Sequence, residues 1–294
     1  MKYEALIFEG GGMKGLCYVG ALLELSRDNF IDLSKVNRFG GTSAGSIIAT
    51  LLACNYTLEE IEAIMFQTKW KKAMDGNFGL FRNMYRLFKK FGYHKGLFVE
   101  KLINRLLLKK IGKNNITFEQ LHNMTGNHLK IVGTNITQNK VVYMDHIHTP
   151  DMPVAKGVQI STCIPFIFEP VTYKDEVYVD GGLIRNLDTN MFREFEVPTL
   201  VFDLVDNLPI GDKISNMVMY FQKVIGMIHK EANKYQLSPF EHVMQIHENE
   251  VVPYNFNISK ENLFYLKQVG ITYAKEFKLS MRYGNSDGYT NNRL

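Results

Sequence analysis

The sequence predicts an α/β fold of three layers, in which a mostly parallel central sheet lies between two layers of helices. Short apolar segments typical of strands alternate with longer amphipathic segments typical of helices along most of the 294 residues. This alternation favours a parallel sheet, because a parallel connection needs a crossover that is usually helical. Glycine-rich turns follow several of the strand-like segments. We expect one domain over residues 1–283 and a disordered polar tail over residues 284–294.

The predicted elements begin with the strand Tyr3–Phe8, a glycine turn and the helix Met13–Ser26. The strand Val36–Phe39, a second glycine turn and the helix Ser46–Asn55 repeat this order. Later elements are predicted by helical spacing of apolar residues, or by short apolar runs between turns. In chain order they are helices from Thr57 to about Phe66 and Leu97–Ile111, strands Leu129–Ile136 and Lys140–Asp145, a helix near Val154–Thr162, strands Phe168–Tyr173, Val177–Val179 and Thr199–Leu204, a helix Ile214–Tyr235, a strand His242–His247 and a helix Ser259–Met281.

The composition is that of a folded protein and argues against a disordered or membrane-spanning chain. Hydrophobic residues make up 46% of the sequence and charged residues 22%, which are ordinary values for globular domains. The longest apolar runs, near Leu16–Leu25 and Ile47–Cys54, are too short to span a bilayer. The three cysteines lie outside any C-x-x-C pattern, which favours a reducing compartment. No secretory signal is visible, so we expect a protein that is cytoplasmic or bound peripherally at a membrane surface.

One segment, Lys69–Lys95, combines basic and aromatic residues, and we interpret it as an insertion over one end of the sheet. It carries eight basic residues, seven aromatic residues and the single acidic residue Asp75. Such a mixture suits an anionic membrane surface, and the apolar residues of interest there are Phe78, Phe81, Met84, Tyr85 and Phe88. A solvated helix whose rings face the protein core is an alternative. Single-stranded nucleic acid also suits such a surface, although we expect no nucleic-acid partner.

The first glycine turn, Gly10–Gly15, matches the letters of the G-x-G-x-x-G fingerprint of dinucleotide-binding proteins. That fingerprint also needs an acidic residue at the end of the second strand, about 20 positions further on. Asp32 has about this spacing, but it precedes the second strand. A phosphate-binding loop does not fit either, because Lys14 comes before the last glycine of the turn. We therefore expect no cofactor, and an anion of another kind at the backbone N–H groups of this turn.

Ser43 lies in the second glycine turn, in the G-x-S-x-G sequence Gly41–Gly45. This pattern between a strand and a helix is the context of a nucleophile elbow, although a serine there can also be a simple helix cap. Attack by serine on a carbonyl needs N–H donors for the developing oxyanion, and a glycine turn at a helix N-terminus provides them. If the first two strands are neighbours, the first glycine turn faces Ser43.

Asp180 is the candidate base, because it also follows a strand-like segment and precedes two glycines. A carboxylate with the reference pKa of about 3.9 is a weak base. Partial burial would raise this pKa and strengthen a hydrogen bond from the serine hydroxyl. Asp-Gly-Gly is also a common turn sequence, so the pattern by itself leaves a purely structural role open.

Four sequence blocks in this order resemble those of the patatin-like phospholipases, a family of lipid acyl hydrolases. The family forms D-G-G-G-x-R/K-G, G-x-S-x-G and D-G-G/A correspond here to Glu9–Gly15, Gly41–Gly45 and Asp180–Gly182. The fourth block, Gln159–Pro170, resembles the family sequence that precedes the aspartate. One departure is Glu9, where the family usually has aspartate. The resemblance covers roughly the first two thirds of the chain.

The resemblance implies a patatin-like catalytic domain with phospholipase A-type activity, which cleaves fatty-acyl esters of phospholipids or related lipids without a metal. It implies a dyad in which Ser43 is the nucleophile that forms an acyl-enzyme and Asp180 is the base. The implied oxyanion hole is the backbone of Gly10, Gly11, Gly12 and Met13. The implied supporting residues are Lys14, which would order the turn, and Gly15, Gly41, Gly45, Gly181 and Gly182.

Three other interpretations stay open at this stage. A conventional α/β-hydrolase triad needs a histidine after the acid, and His229, His242 and His247 are available. A metal site could use the pair His146–His148 with Asp145, although no third ligand has a telling spacing and we expect no metal. A non-catalytic lipid-binding module could keep the fold without the chemistry.

Overall fold

The computed structural model describes residues 2–75, 80–205, 220, 223–224, 226–227 and 237–283. In these residues a central, mostly parallel sheet is flanked by helices, which confirms the predicted fold class. The predicted helix Ile214–Tyr235 lies largely outside the described residues, and the predicted tail 284–294 lies outside them entirely. None of the helices in the described ranges is long and apolar enough to cross a lipid bilayer.

Strands and helices are numbered in chain order over the described residues. The strands are β1 Ala5–Phe8, β2 Arg38–Thr42, β3 Gly92–His94, β4 His128–Asn135, β5 Lys140–Met144, β6 Phe166–Phe168, β7 Val171–Tyr173, β8 Glu176–Asp180, β9 Thr199–Val205 and β10 Glu241–His247. The α-helices are α1 Leu16–Arg27, α2 Ala44–Ala53, α3 Leu58–Gln67, α4 Leu80–Lys90, α5 Leu97–Ile111, α6 Phe118–Thr125, α7 Val154–Ser161 and α8 Lys260–Tyr283.

The parallel part of the sheet has the strand order β10-β9-β1-β2-β4. β5, β7 and β8 add to it in antiparallel pairings, and β3 pairs with β6 in a separate two-stranded ribbon. In the register of β1 and β2, Phe8 lies opposite Gly41. The two glycine-rich turns therefore leave neighbouring strands at the same carboxyl edge, where open α/β sheets bind their ligands.

A junction on β4 brings the end of β8 beside the end of β2. β4 pairs with β2 through its first five residues and with antiparallel β8 through its last three. Residues of β4 that pair with β5 also pair with either β2 or β8, so β2 and β8 share the other edge of β4. Thr42 lies opposite Val132, and Asp180 lies opposite the next residue, Gly133. The last residue of β8 is thereby placed directly beyond the last residue of β2.

Two apolar cores cover the two faces of the sheet, and successive side chains of β1 point alternately into one core and the other. Leu6 and Phe8 belong to the larger core, whereas Ala5 and Ile7 belong to the smaller one. The larger core includes residues of α1, α2 and α8, and α1 packs along α8. In the described part of the chain, the smaller core includes residues of the 3-10 segment Thr189–Phe195.

The structure corrects several predicted boundaries. β2 extends through Gly40 and Gly41 to Thr42, so these glycines are strand residues and not turn residues. α2 begins at Ala44, and Ser43 is the only residue between strand and helix. A short 3-10 turn over Gly12–Gly15 precedes α1, and helix α6 was not predicted. The predicted N-terminus of α3 is confirmed as a reciprocal capping box.

Candidate active site

Ser43 occupies the turn between β2 and α2 in a strained backbone conformation. Its dihedral angles, φ 49° and ψ −121°, lie outside the regions that L-residues favour. The Ser43 N–H donates to the Ser161 hydroxyl oxygen at 2.9 Å, and the Ser43 carbonyl accepts a hydrogen bond of 2.6 Å from the Ser46 hydroxyl. These two bonds stabilise a sharp turn that presents the serine side chain at the end of the sheet.

Close packing explains the two glycines that flank Ser43. A Cβ atom at Gly41 would lie 2.4 Å from the carbonyl carbon of Gly45. A Cβ atom at Gly45 would lie 2.3 Å from the carbonyl oxygen of Phe8, at the end of β1. Both distances are far below van der Waals contact, so only glycine permits the elbow to pack against itself and against β1.

Asp180 is buried, and its carboxyl interacts with the Ser43 hydroxyl, which favours the ionised form. The Gly182 N–H donates to Asp180 Oδ1 at 2.7 Å. Burial raises the pKa of the Asp180 carboxyl to about 7, and these two interactions only partly oppose this increase. The carboxylate is therefore a much stronger base than an exposed aspartate, in direct contact with a serine.

The first glycine turn presents two unoccupied N–H donors beside Ser43. The Gly10 N–H donates to the Asn186 carbonyl at 3.3 Å, and the Met13 N–H donates to the Pro253 carbonyl at 2.8 Å. Within the described residues, the N–H groups of Gly11 and Gly12 donate to no protein acceptor. Of the four backbone donors considered from the sequence, only those of Gly11 and Gly12 are therefore available to a ligand in this conformation.

Lys14 is buried and connects the glycine turn to the segment after β10. Its Nζ donates to the Glu248 carbonyl at 2.7 Å and lies 3.3 Å from Glu248 Oε2. Glu248 Oε1 in turn accepts hydrogen bonds from the N–H groups of Glu250 and Val251, in the segment that leads to Pro253. Lys14 thus connects the glycine turn to Glu248, a partner that the sequence did not identify.

An apolar pocket opens beside Ser43. It is lined by Ser43 and Gly12 and by apolar side chains that include Ile47, Met65, Trp70, Val99, Ile164 and Phe168. These come from α2, α3, the 3-10 segment after α3, α5, the connection from α7 to β6 and β6 itself. A cavity with this lining suits a hydrocarbon chain next to a reactive hydroxyl.

The histidines considered for a triad lie in other surroundings. His242 is opposite Leu200, near the amino end of β9, and its ring packs edge-on against Tyr3. The ring of His247 packs against Tyr273 of α8. His229 lies outside the described residues. In the part of the chain that the structure describes, Asp180 meets Ser43 without an intervening histidine.

The histidines considered for a metal site form a stacked cluster around Asp145. His148 Nδ1 is hydrogen-bonded to Asp145 Oδ1 at 2.8 Å, and the ring of His146 stacks on that of His122 with centroids 3.8 Å apart. A stacked pair does not point its nitrogen atoms at a common ion. The described residues contain no group of three or more His, Cys, Asp or Glu side chains arranged to hold a metal.

Three residues of the site were missed from the sequence as individual contributors: Ser161, Asn186 and Glu248. Ser161 lies within the block Gln159–Pro170, which resembles the family sequence as a segment but gave no indication of a role for this hydroxyl. Asn186 follows Asp180 by six residues, and its side-chain N–H groups bind Glu9 Oε1 and the Gly10 carbonyl at 2.8 and 3.0 Å. Glu248 follows β10 and had no sequence signal.

Together these features define an α/β protein of the three-layer class with a serine in a sharp turn between a strand and a helix. The family model described as patatin-like phospholipase matches residues 6–193. The chain belongs to the patatin-like phospholipase family, which confirms the resemblance seen in the sequence blocks.

Similar proteins come from viruses, bacteria and animals. The uncharacterized protein R571 of Acanthamoeba polyphaga mimivirus is 34% identical over 191 residues, which are 65% of this chain and 62% of that protein. The probable lipid hydrolase 463L of Invertebrate iridescent virus 6 is 33% identical over 189 residues, which are 63% of this chain and 61% of that protein. The match therefore spans about three fifths of each of these relatives.

Solved structures share the fold at low sequence identity. VipD from Legionella pneumophila superimposes with a TM-score of 0.58 at 16% identity, over 93% of this chain and 66% of VipD. ExoU from Pseudomonas aeruginosa, in its complex with SpcU, gives a TM-score of 0.51 at 17% identity, over 93% of this chain and 52% of the matched chain. Both comparisons support the same three-layer architecture.

Proposed function

We propose that this protein is a lipid acyl hydrolase that cleaves fatty-acyl esters of phospholipids or related lipids, with Ser43 as nucleophile and Asp180 as base. The observation that carries the proposal is the interaction of the Ser43 hydroxyl with a buried carboxyl, that of Asp180, whose pKa burial raises to about 7. The name of the viral relative 463L, a probable lipid hydrolase, agrees with this class of substrate. We treat residues 1–283 as one catalytic domain.

In the first half of the reaction, Asp180 accepts the hydroxyl proton while Ser43 Oγ attacks the ester carbonyl carbon. The carbonyl oxygen becomes an oxyanion, and the free N–H groups of Gly11 and Gly12 stabilise it. The bond to the leaving alcohol then breaks, and the protonated Asp180 donates its proton to that alcohol. The acyl chain, held in the apolar pocket, remains as an ester on Ser43.

In the second half, water attacks the acyl-enzyme by the same route. Asp180 accepts a proton from the water molecule, and the same N–H groups stabilise the second oxyanion. Collapse of this intermediate releases the fatty acid and returns the proton to Ser43 Oγ. The two half-reactions need one base that is ionised in the resting enzyme.

The experiment is to incubate the protein with mixed phospholipid vesicles and to identify released fatty acids by mass spectrometry. Ser43→Ala and Asp180→Asn should each abolish release, whereas Asp151→Asn, which removes an exposed carboxyl, should leave it unchanged. Unchanged release in either of the first two variants would exclude the dyad. Loss of release in His229→Ala, His242→Ala or His247→Ala, with folding intact, would favour a triad instead.

We further propose that the protein binds an anionic membrane surface through α4 and the β3–β6 ribbon. The exposed fractions of Tyr85, Phe88, Phe91 and Phe166 are 62%, 71%, 65% and 60%. Phe91 and Phe166 both adopt positive φ angles, 57° and 66°, which are unfavourable for bulky residues. Contact with a lipid phase would account for exposed aromatic rings that are held in a strained backbone.

The basic residues of this surface differ from those counted in the sequence. Lys89 and Lys90 are exposed beside Phe88 at the end of α4. Arg86 is buried instead, and its Nε donates to Glu169 Oε1 at 2.9 Å, so it does not belong to the surface charge. Phe78 and the side chain of Phe81 lie outside what the structure describes. The membrane-binding surface, in the described residues, consists of the four exposed rings above with Met84, Lys89 and Lys90.

A further inference from the structure

Two acidic side chains lie side by side beneath the first glycine turn, and the dyad chemistry uses neither of them. Glu9 directly follows β1, and Asp203 lies on the neighbouring strand β9, where Phe8 is opposite Phe202. Their exposed fractions are only 3% and 0%. Buried carboxyl groups are costly unless they are neutralised or well hydrogen-bonded, so the pair needs a physical explanation.

The contacts of the two carboxyl groups favour a shared proton. Glu9 Oε2 accepts from the Leu204 N–H at 2.7 Å, and Asp203 Oδ2 accepts from Gln245 Nε2 at 3.1 Å. The Asp203 carboxyl also acts directly on the Glu9 carboxyl. Two ionised carboxylates are both acceptors and repel each other, so their proximity in a buried site favours a proton on one of the two.

The surroundings favour one proton on the pair over two negative charges. Burial, followed by the negative charge of Asp203, raises the pKa of Glu9 well above its usual value. From α1, the Tyr18 hydroxyl donates to the Glu9 carbonyl, and burial raises the pKa values of Tyr18 and Cys17. These two groups therefore stay neutral while Glu9 titrates.

The other charged groups near this part of α1 are already paired. Lys14 and Glu248, which act on Cys17 from the glycine turn and from the segment after β10, form an ion pair with each other. Asp180 interacts with the Ser43 hydroxyl. Asp203 is the charged group whose field raises the pKa of the Glu9 carboxyl.

Asn186 connects this pair to the first glycine turn and to the turn after Asp180. Its side-chain N–H groups bind Glu9 Oε1 at 2.8 Å and the Gly10 carbonyl at 3.0 Å. A Cβ atom added at Gly10 would lie 2.3 Å from Asn186 Oδ1, and one at Gly182 would lie 2.8 Å from it. The Asn186 amide is therefore packed between the first glycine turn and the turn that follows Asp180.

We propose that Glu9 and Asp203 share one proton, and that the pair acts through Asn186 as a positioning device for the two turns around Ser43. Loss of the shared proton places two negative charges side by side in a buried site, and the pair must then separate. Glu9 is bonded to Asn186, so this separation displaces Asn186 and with it the N–H groups that face Ser43. The catalytic consequence rests on the proposed function, whereas the shared proton does not.

The first test needs no activity and measures the proton by infrared spectroscopy. It uses the full chain with Asp180→Asn, because Asp180 would otherwise contribute its own protonated carboxyl. We expect a carbonyl band of a protonated carboxylic acid that persists above pH 8 and is absent after either Glu9→Gln or Asp203→Asn. Each of these isosteric changes supplies a donor in place of the proton. No such band in the parent, or a band unchanged by both substitutions, would overturn the proposal.

The second test follows kcat against pH on phospholipid vesicles, with Asp180 intact. We expect kcat to fall at alkaline pH in the parent, and the fall to disappear or move to higher pH in Asp203→Asn, while the acid limb set by Asp180 stays in place. A purely structural role for Asp203 would lower kcat by the same factor at every pH. An alkaline limb of the same midpoint in both proteins contradicts the positioning role.

A third measurement examines Asn186 itself. We expect Asn186→Ala to lower kcat on the order of 10²-fold with little change in KM, since a small displacement of a catalytic group has an effect of that size. The rate at which an alkyl fluorophosphonate labels Ser43 should fall in parallel. Unchanged labelling and unchanged kcat would show that Asn186 does not position the turns around Ser43, which contradicts this part of the proposal. If the parent hydrolyses no lipid, the proposed function fails, and the infrared test still decides whether the proton is shared.

Discussion

Asp180 lies beside Ser43 because β8 begins to pair with β4 at the residue where β2 stops. Thr42, which precedes the serine, is opposite Val132, and Asp180 is opposite Gly133. The nucleophile and the base therefore come from strands that run in opposite directions along one edge of β4. This arrangement places an acid at the end of β2, where it can contact the serine hydroxyl without a histidine between them.

The pKa of Asp180 predicts how turnover depends on pH. The base must be ionised to accept the Ser43 proton, so kcat/KM should rise with pH through about 7 and level off above it. The measurement is the initial rate of fatty-acid release between pH 5 and pH 9, with the binding of vesicles followed separately. A rate that is flat between pH 5 and pH 8 would show that Asp180 does not act as the base.

The same shift predicts that Asp180 destabilises the folded protein at alkaline pH. A carboxyl whose pKa is raised on folding favours the protonated form, so its contribution to stability is greatest at acid pH and is lost as pH rises through about 7. Asp180→Asn should therefore raise the free energy of unfolding at pH 8 by roughly 2–4 kcal/mol, with little effect at pH 4. Urea unfolding at the two pH values measures the difference, and an equal effect at both would contradict it.

The hydroxyl of Ser161 should be required for the shape of the elbow. Ser161→Ala leaves the buried Ser43 N–H without its acceptor, which costs about 1–3 kcal/mol of stability. The strained turn should also relax, so we expect kcat to fall more than ten-fold while KM changes little. Ser280→Ala is a matched control, because it removes a hydroxyl that bonds only to the Phe277 carbonyl of its own helix. Equal effects of the two substitutions on kcat would contradict the prediction.

The fold class and the candidate chemistry of the two turns could be predicted from the sequence, because both depend on local patterns. Gly41 and Gly45 were recognisable since a close backbone approach needs glycine wherever it occurs in the chain. The partners of these turns were not recognisable in the same way. Glu248 is separated from Lys14 by 234 positions, and no periodicity links a lysine in a turn to a glutamate after a distant strand.

The sequence also could not predict which N–H groups of the glycine turn are already hydrogen-bonded within the protein. The glycine turn offered several backbone donors, and only the three-dimensional positions of the Asn186 and Pro253 carbonyls decide which of them are already bonded. Arg86 illustrates the same limit on the surface. It was counted as a surface cation because of its neighbours in the sequence, yet α4 turns it toward Glu169 and buries it.

The ion pair between Lys14 and Glu248 should be sensitive to the removal of either partner alone. Lys14→Met and Glu248→Met should each destabilise the protein by about 3–5 kcal/mol, because each removes one member of a buried ion pair. Combining Lys14→Met with Glu248→Met should cost clearly less than the sum of the single changes. Denaturant unfolding of the four proteins gives the coupling energy. Additive effects would mean that the pair does not act as a unit.

Charge reversal on the membrane-binding surface should separate membrane binding from chemistry. Lys89→Glu with Lys90→Glu should weaken binding to vesicles that contain phosphatidylglycerol by about 1 kcal/mol or more for each position, and added salt should reduce the difference. Binding to phosphatidylcholine vesicles should change little, because that contact depends on the exposed rings. Phe88→Ser with Phe91→Ser should weaken binding to both kinds of vesicle.

The matched control for this surface is Lys109→Glu, which reverses an exposed charge at the end of α5. Hydrolysis of a short-chain ester dissolved in water reports on the dyad without a membrane, and it should be the same in all of these variants. Vesicle sedimentation gives the binding constants. If Lys109→Glu weakens binding as much as the changes at Lys89 and Lys90 do, the attraction comes from net charge and not from the membrane-binding surface. If vesicle binding survives both double substitutions, the protein approaches lipid through another face.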